Sequence, residues 1–231
     1  MVDYIVDQLT LFGGDGVCGF GDDRFMVRKV DRDIANRIIK RHHYSGTVYG
    51  LSDIHLEVLI SGRRAGILQF GPGMNPGSGA SVVANTDSGQ WLELNRMWLD
   101  DEAPRNSESQ AIAYAIKLIR RMRPAVAWIQ SFADERCGCY GVVYQAANAL
   151  YCGEHTSIFW ELDGKWYHNI AATVRGEDQL RTRKGAAHLQ ANLARATRHD
   201  LRQFRYIFPL KRRVLRDLLL PVLPYPKANN G

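Results

Sequence analysis

Four polar residues lie in or beside hydrophobic runs of this sequence, and each can transfer a proton or bind charge. Tyr144 lies in VYQAANAL, Asp134 closes AVAWIQSFAD, His43 follows DRDIANRIIKRH, and Arg96 lies within WLELNRMWLD. Tyrosine, histidine and carboxylate side chains serve as general acids and bases, and a guanidinium binds phosphates and carbonyls. We therefore take Tyr144, Asp134, Arg96 and His43 as candidate catalytic residues.

Two of these residues have a plain structural alternative. Tyr144 would otherwise be a half-buried tyrosine that is hydrogen-bonded on a helix face. Asp134 ends a predicted strand, at the edge where such sheets place their ligands. It would otherwise cap a loop or form a surface salt bridge with Arg136.

The other two leave alternatives open as well. A charge such as Arg96 is costly inside an apolar strand unless it is paired. Either Glu93 or another carboxylate neutralises it, or it points into a site at a phosphate or a carbonyl. His43, beside His42 at a helix end, fits a base, a metal ligand or a partner of the helix dipole.

A strand, a polar loop and a helix follow one another in QWLELNRMWLD, DEAPRN and SESQAIAYAIKLIRRM. Ser107 is predicted to cap the helix and Gln110 to reach back to it. The free amides and dipole of such a helix start can receive a phosphate or a carboxylate. Arg105, Ser107 and Ser109 are therefore the candidate cofactor-binding residues, although Ser109 would also serve in simple capping and Glu108 competes with an anion.

Positive charge is concentrated near the end of the chain. Net charge is +6, and residues 175–216 carry twelve Lys and Arg against three acids. Such a segment favours a polyanionic partner and can neutralise phosphates without reading sequence, although a solvated helix face is the alternative. The candidate residues for binding such a partner are Arg181, Arg183, Lys184, Arg198, Lys211 and Arg212.

The bulk composition is that of a globular protein of one large domain, or of a domain with an appendage. Hydrophobic residues make up 45% and charged residues 23% of 231 residues, and no apolar run reaches membrane-spanning length. The start, MVDYIVDQLTLFGG, lacks a basic cluster, so we expect no signal peptide and a cytoplasmic protein.

Four cysteines are then expected as thiols. Cys137, Cys139, Cys152 and His155 do not have the spacing of a usual zinc ribbon, so structural zinc is a minor alternative.

Hydrophobic periodicity predicts a mixed α/β sheet flanked by helices. Strands are expected at 25–30, 54–60, 65–70, 90–100, 125–134, 156–162, 165–168 and 205–210, and helices at 31–43, 107–122, 141–150, 186–197 and 211–220. Asp31 is expected to cap the first helix and Gly46 to end it. Residues 71–89 are predicted to form a long turn-rich loop with Met74 or Asn75 at its tip.

This element order resembles the acetyltransferase (GNAT-like) fold. Three stretches, RFMVRKVDRDIANRIIKRHHYSG, WLELNRMWLDDEAPRNSESQAIAYAIKLIRRMRP and VYQAANALYCGEH, with the late RYIFPL, resemble the Mom family of phage DNA-modification proteins. The resemblance implies a mainly antiparallel twisted sheet of that type with a basic C-terminal extension. It divides the chain into an N-terminal arm (1–23), a catalytic core (24–174) and a basic segment (175–231).

The resemblance also implies an activity, namely conversion of adenine N6 in double-stranded DNA to a methylcarbamoyl adenine, which protects phage DNA from host restriction enzymes. The partner is then duplex DNA with a flipped adenine, in the host cytoplasm, and Met74 or Asn75 of the loop 71–89 would fill the gap that the flipped base leaves. A methylcarbamoyl group is not a ready-made acyl thioester, so a mononuclear iron held by His43 with Tyr144 or Asp134 is one hypothesis. An acyl-CoA-type donor is another, although the loop from Arg105 lacks the glycines of a pyrophosphate loop. The alternative functions are a non-catalytic DNA-binding protein and a coenzyme-A acyltransferase acting on another amine.

Overall fold

A computed structural model of the chain describes residues 19–138, 140–176 and 185–227. The strands are β1 Gly19–Gly21, β2 Phe25–Lys29, β3 Ile54–Ile60, β4 Arg63–Gly71, β5 Trp91–Leu99, β6 Trp128–Asp134, β7 Leu150–Leu162, β8 Lys165–His168 and β9 Thr197–Pro209. The helices are α1 Arg32–His42, α2 Ser107–Met122, α3 Val142–Ala146, α4 Ile170–Thr173, α5 Ala186–Ala191 and α6 Arg213–Asp217. None of the helices in these ranges is long and apolar enough to cross a membrane.

The described residues form two compact units. The first unit comprises 19–131, 143–150 and 207–220, and the second comprises the remaining described residues. In the first unit the strand order is β1-β2-β3-β4-β5-β6, with antiparallel pairs from β1 to β5 and a parallel pair between β5 and β6. In the second unit β9, β7 and β8 are neighbours in this order, and β7 and β8 are antiparallel.

The helices α1 and α2 of the first unit each bury an apolar face. On α1, Ala35 and Ile39 are fully buried and pack with Ile67 of β4. The edge of Tyr114 on α2 meets the rings of Phe20 and Phe25, with centroids 4.9 Å and 5.5 Å apart. Deleting one such side chain, as in Ile39→Ala, should cost about 2–5 kcal/mol of unfolding free energy.

The second unit has its own smaller core. Leu162 of β7, Ala171 of α4 and Leu189 of α5 belong to one buried cluster, against which Trp160 packs. The indole of Trp160 donates to Oδ1 of Asn169 at 3.0 Å, so the polar edge of this large side chain is satisfied.

The predicted class, a mixed and mainly antiparallel α/β sheet, is confirmed by this strand order. The β3–β4 hairpin across 61–62, α2 at 107–122 and the β7–β8 hairpin lie where the sequence predicts them. Asp31 caps α1 as predicted, because its carboxylate accepts from the amide of Asp33 at 2.8 Å.

Several local predictions were wrong. Ser107 does not cap α2, because the helix begins with it and Asn106 takes the cap position in the left-handed region, with φ 70°. Gly46 does not end α1, which stops at His42. Residues 19–21 of the predicted N-terminal arm (1–23) form the strand β1, and the arm as a unit stays a prediction.

The later elements differ more in length. The predicted helix 141–150 is confined to α3, because Leu150 already begins the long strand β7. The predicted helix 186–197 ends as α5 at Ala191, and the predicted helix 211–220 shortens to α6. The basic C-terminal extension is not confirmed, since β9 runs over 197–209 as a strand of the sheet. The domain boundary at 174/175 stays a prediction.

Candidate functional site

The parallel strands β5 and β6 pair over a short length, and polar side chains gather where this pairing ends. The pairs are Trp91 with Trp128, Leu92 with Ile129, and Glu93 with Gln130. On the other side of β5 the register with β4 shifts between Gln69 and Phe70, so Asn95 is an extra residue in the ladder. Such bulges redirect side chains and are frequent beside active sites.

Glu93 is held at this point by two amides. Nε2 of Gln130 donates to its Oε2 at 3.2 Å, and Nδ2 of Asn95 donates to its Oε1 at 3.4 Å. A Cβ placed on Gly73 would lie 3.1 Å from Oε2 of Glu93 and 2.5 Å from Cη2 of Trp91. The carboxylate is therefore oriented by neighbours and covered by a backbone that only glycine allows so close.

Asn95 joins the same strand to the segment before β3. Oγ of Ser52 donates to Oδ1 of Asn95 at 2.9 Å, and both residues are buried. A Cβ on Gly71 would lie 2.6 Å from the carbonyl oxygen of Leu51, which again requires glycine. The segment that follows α1 is thus fixed against β5.

Arg96 donates hydrogen bonds both to this segment and to its own strand. Nε donates to the carbonyl of Thr47 at 3.0 Å, and Nη1 donates to the carbonyl of Asn95 at 2.6 Å. Charge-assisted bonds of this kind are strong, so Arg96 holds the segment onto the strand. A direct role toward a substrate stays a prediction.

The charges of Glu93 and Arg96 both act on the hydroxyl of Tyr49. Its hydroxyl is buried and has no hydrogen-bond partner within the described part of the chain. Burial raises the pKa of Tyr49, the Glu93 charge raises it further, and Arg96 opposes both. A buried hydroxyl without a partner is costly, so it is a candidate to bond a ligand. Sequence reasoning missed Tyr49 and Gln130 because neither lies in a recognisable motif.

His43 follows α1 in the same unit. Its Nδ1 lies 2.9 Å from Oγ of Ser45, and its ring lies 4.3 Å from that of the exposed Tyr44. The amide of Ser45 also donates to this Nδ1 at 3.2 Å, so Ser45 orients the imidazole.

The remaining catalytic candidates are Tyr144 and Asp134, which have the following surroundings. Tyr144 lies half-buried on α3, with its ring edge-on to Phe208 at 6.3 Å. Asp134 belongs to the second unit, where its carboxylate accepts from the amide of Arg136 at 3.0 Å and from Nε of Arg136 at 2.9 Å. These are the loop cap and salt bridge of the structural alternative, and a catalytic role for Asp134 stays a prediction.

The start of α2 carries the candidate donor-binding residues. Oγ of Ser109 donates to the carbonyl of Asn106 at 3.0 Å, Ser107 is buried, and Arg105 is exposed. The amide of Ser107 donates to the carbonyl of Pro104 at 3.1 Å. The remaining free amides of the first turn carry the partial positive charge of the helix N-terminus, which attracts anions.

The predicted DNA-binding residues have mixed surroundings. Arg198 is paired with Asp200 at 2.8 Å, Nζ of Lys211 donates to the carbonyl of Ala125 at 3.3 Å, and Arg212 is exposed. Arg181, Arg183 and Lys184 lie outside the described residues.

Metal ligands are not clustered in the described ranges, where no group of three or more His, Cys, Asp or Glu could hold an ion. Of the zinc candidates, Cys139 and the side chain of Cys137 lie outside these ranges. Burial raises the pKa of the Cys152 thiol to about 11, which disfavours the thiolate that binds metal.

Two comparisons identify related sequences. The sequence model of the Mom protein family matches residues 24–227 of this chain. The methylcarbamoylase Mom of Escherichia phage Mu is 46% identical over 216 residues, which cover 91% of this chain and 87% of that protein.

Solved structures give a weaker likeness. The ribosomal-protein-S5-alanine acetyltransferase from Vibrio fischeri has a TM-score of 0.49 and 10% identity, and the match covers 84% of this chain and 97% of that one. A GNAT-family acetyltransferase from Streptococcus pneumoniae has a TM-score of 0.45 and 9% identity, with 81% and 99% covered.

Proposed function

The chain belongs to the Mom protein family, and we propose that it is a transferase that converts adenine N6 in double-stranded DNA to a methylcarbamoyl adenine. The observation that carries this proposal is the 46% identity to the methylcarbamoylase of phage Mu across 91% of the chain. In a phage-infected cell the modification would shield phage DNA from restriction enzymes, and the protein would act in the host cytoplasm.

The adenine N6 amine is a poor nucleophile, which determines what the enzyme must do. The N6 lone pair of adenine is delocalised into the ring, and in a duplex the amine is paired. An enzyme must flip the base, hold its edge and assist loss of a proton. His43 and Tyr144 are our candidates for the proton, and Arg96 holds the segment that joins α1 to β3.

Glu93 and Tyr49 supply complementary hydrogen-bonding groups for a flipped adenine. A carboxylate can accept from the N6 amine, and a hydroxyl without a partner can donate to N1. The two amides on Glu93 keep it oriented before the base arrives, at 3.2 Å and 3.4 Å. Asp134 remains a further candidate for the base edge.

The group donor would bind near the start of α2, where Arg105, Ser107 and Ser109 lie. The dipole of this 16-residue helix favours a phosphate or carboxylate of the donor there. Arg105 is exposed and would supply a charge-assisted bond to the same group.

Iron remains a hypothesis for the same unit. His43 and Tyr144 would be its protein ligands, and Nε2 of His43 would bind it only in the tautomer whose Nδ1 donates to Oγ of Ser45 at 2.9 Å. Such an iron would supply the redox chemistry that a methylcarbamoyl group requires.

The test is nucleoside mass analysis of DNA from cells that express the protein. We expect modified deoxyadenosine with the wild type and none with Tyr144→Phe, whose DNA affinity should be unchanged. Unmodified adenine alongside folded wild-type protein would contradict the enzyme and leave the DNA-binding alternative. Loss of DNA affinity in Tyr144→Phe would move that residue to a contact role.

A further inference from the structure

Three cations occupy one exposed face of α1. Arg37, Lys40 and Arg41 are all exposed, and positions three and four apart on a helix are surface neighbours. The opposite face of the helix carries Ala35 and Ile39, which are buried. We call Arg37, Lys40 and Arg41 the α1 cationic face.

The three cations of this face have no acidic partner among the described residues. None of the three forms an ion pair with any residue in the described ranges. Elsewhere in the first unit, Arg28 and Arg64 share Glu57 at 2.7 Å and 2.6 Å. A cation without a carboxylate partner can neutralise a phosphate without breaking an existing pair.

The α1 cationic face also leads to the candidate site. The helix ends at His42, and the next residues are His43 and Tyr44, whose ring is 60% exposed. Arg96 binds this same segment through the carbonyl of Thr47 at 3.0 Å. A polyanion on α1 would therefore lie beside the helix end from which the segment bonded by Arg96 continues.

We propose that the phosphate backbone of duplex DNA binds on the α1 cationic face, with Tyr44 directed to the sugar or base that follows. The proposal rests on the proposed function only in naming duplex DNA as the polyanion. It assigns the positioning of DNA to α1 as well as to the basic segment near the end of the chain. A face of this kind contacts phosphates and reads no sequence.

The experiment measures affinity for a short duplex across a salt series. The variant carries Arg37→Gln, Lys40→Gln and Arg41→Gln, and glutamine keeps the helix propensity of the positions. We expect the slope of log affinity against log salt to fall by about 3, since each phosphate contact contributes about 0.9. Arg37→Gln alone should lower it by about 1, and this single change avoids the last helical turn.

The matched control removes the same charge from exposed residues outside both α1 and the basic segment, with Arg24→Gln, Arg63→Gln and Lys165→Gln. It should keep the wild-type slope. An equal loss in both variants would reduce the effect to net charge and overturn the proposal.

The same measurements distinguish DNA binding by the α1 cationic face from a structural role in the helix. Lys40 and Arg41 lie in the last turn of α1, where cations stabilise the helix dipole. If the α1 variant has a lower melting temperature but the wild-type salt slope, the face is structural and the proposal fails. Failure of adenine modification in the wild type would contradict the proposed function and leave this binding result standing.

Discussion

Gln130 donates from Nε2 to Oε2 of Glu93 at 3.2 Å, across the last recorded pair of β5 and β6. The two residues lie 37 positions apart in the chain and meet only because the strands are parallel at that point. With Asn95 on the other oxygen, the carboxylate is oriented before any substrate binds. Preorganised groups of this kind lower the cost of reaching a productive geometry.

Replacing this carboxylate should reduce modification more than stability. Glu93→Gln keeps the shape but removes the charge, and its new amide faces the amides of Gln130 and Asn95. We expect adenine modification to fall by about 10-fold to 1,000-fold, the range for loss of one positioned proton-transfer or polar group. The readout is modified deoxyadenosine per total deoxyadenosine.

The control for Glu93→Gln is Glu57→Gln. Glu57 is a buried carboxylate of the same unit that pairs with Arg28 and Arg64. It should lower the unfolding free energy by about 1–3 kcal/mol, with little effect on the modification by the remaining folded protein. Full modification by Glu93→Gln would remove that carboxylate from the site.

Tyr49→Phe should lower adenine modification without lowering the stability of the protein. The hydroxyl is buried and unpartnered in the described ranges, so its removal should leave the unfolding free energy unchanged or raise it by about 1 kcal/mol. If the hydroxyl bonds adenine, modification falls although the protein is at least as stable. Chemical denaturation and nucleoside analysis on the same preparations check both halves. A destabilised but fully active variant would contradict the assignment.

The loop 71–90 is fixed by glycines that touch Trp91. A Cβ on Gly79 would lie 2.5 Å from Nε1 of Trp91, whose indole donates to the carbonyl of Pro76 at 3.0 Å. Gly79→Ala should therefore cost about 1–3 kcal/mol of unfolding free energy through overpacking. Trp91 is stacked on Trp128 at 5.0 Å, so intrinsic fluorescence should report the shift.

Gly77→Ala is the matched control in the same loop. The nearest atom to a Cβ there is Oδ1 of Asn75 at 3.5 Å, an ordinary contact. We expect unchanged fluorescence and stability that is equal or slightly higher. Equal destabilisation by the two alanines would mean that Trp91 does not constrain the loop.

His55 should make stability depend on pH. Burial lowers the pKa of His55, Arg32 lowers it further, and Asp53 and Asp31 oppose the shift. Its Nδ1 lies 3.1 Å from Nε2 of Gln69, an amide donor that suits the neutral ring. The unfolded chain protonates near pH 6.5 while the folded ring resists, so stability falls as pH drops below about 6.5.

His55→Gln should flatten this acid limb. Urea unfolding at several pH values between about 7 and 5 measures it. His155 of the second unit also has a pKa lowered by burial, and its share should persist in the variant. An unchanged limb in His55→Gln would place the proton uptake elsewhere.

Local patterns were enough to predict the elements that enclose the site. The β3–β4 hairpin and α2 follow from alternating and 3.6-residue apolar spacing, which needs no tertiary information. β7 and β9 were predicted too short because their first halves carry charged and polar residues such as Glu154 and Asp200, which a strand tolerates on a half-exposed face.

The contacts of the site depend on register. Ser52 meets Asn95 across 43 residues, and the bulge that redirects Asn95 has no sequence signature. Arg96 donates to the carbonyls of Thr47 and Asn95, and these contacts have no sequence signature either. Residue types identified candidates, and only the fold determined which of them meet.

The central claim is adenine modification by the site around Glu93. Its most direct test is mass analysis of deoxyadenosine from cells that express wild type, Glu93→Gln or Gly77→Ala at matched protein levels. The account predicts a methylcarbamoyl adenine in the wild type and Gly77→Ala samples and a strongly reduced amount with folded Glu93→Gln. Unmodified adenine in all three, with folded protein recovered from each, would contradict it.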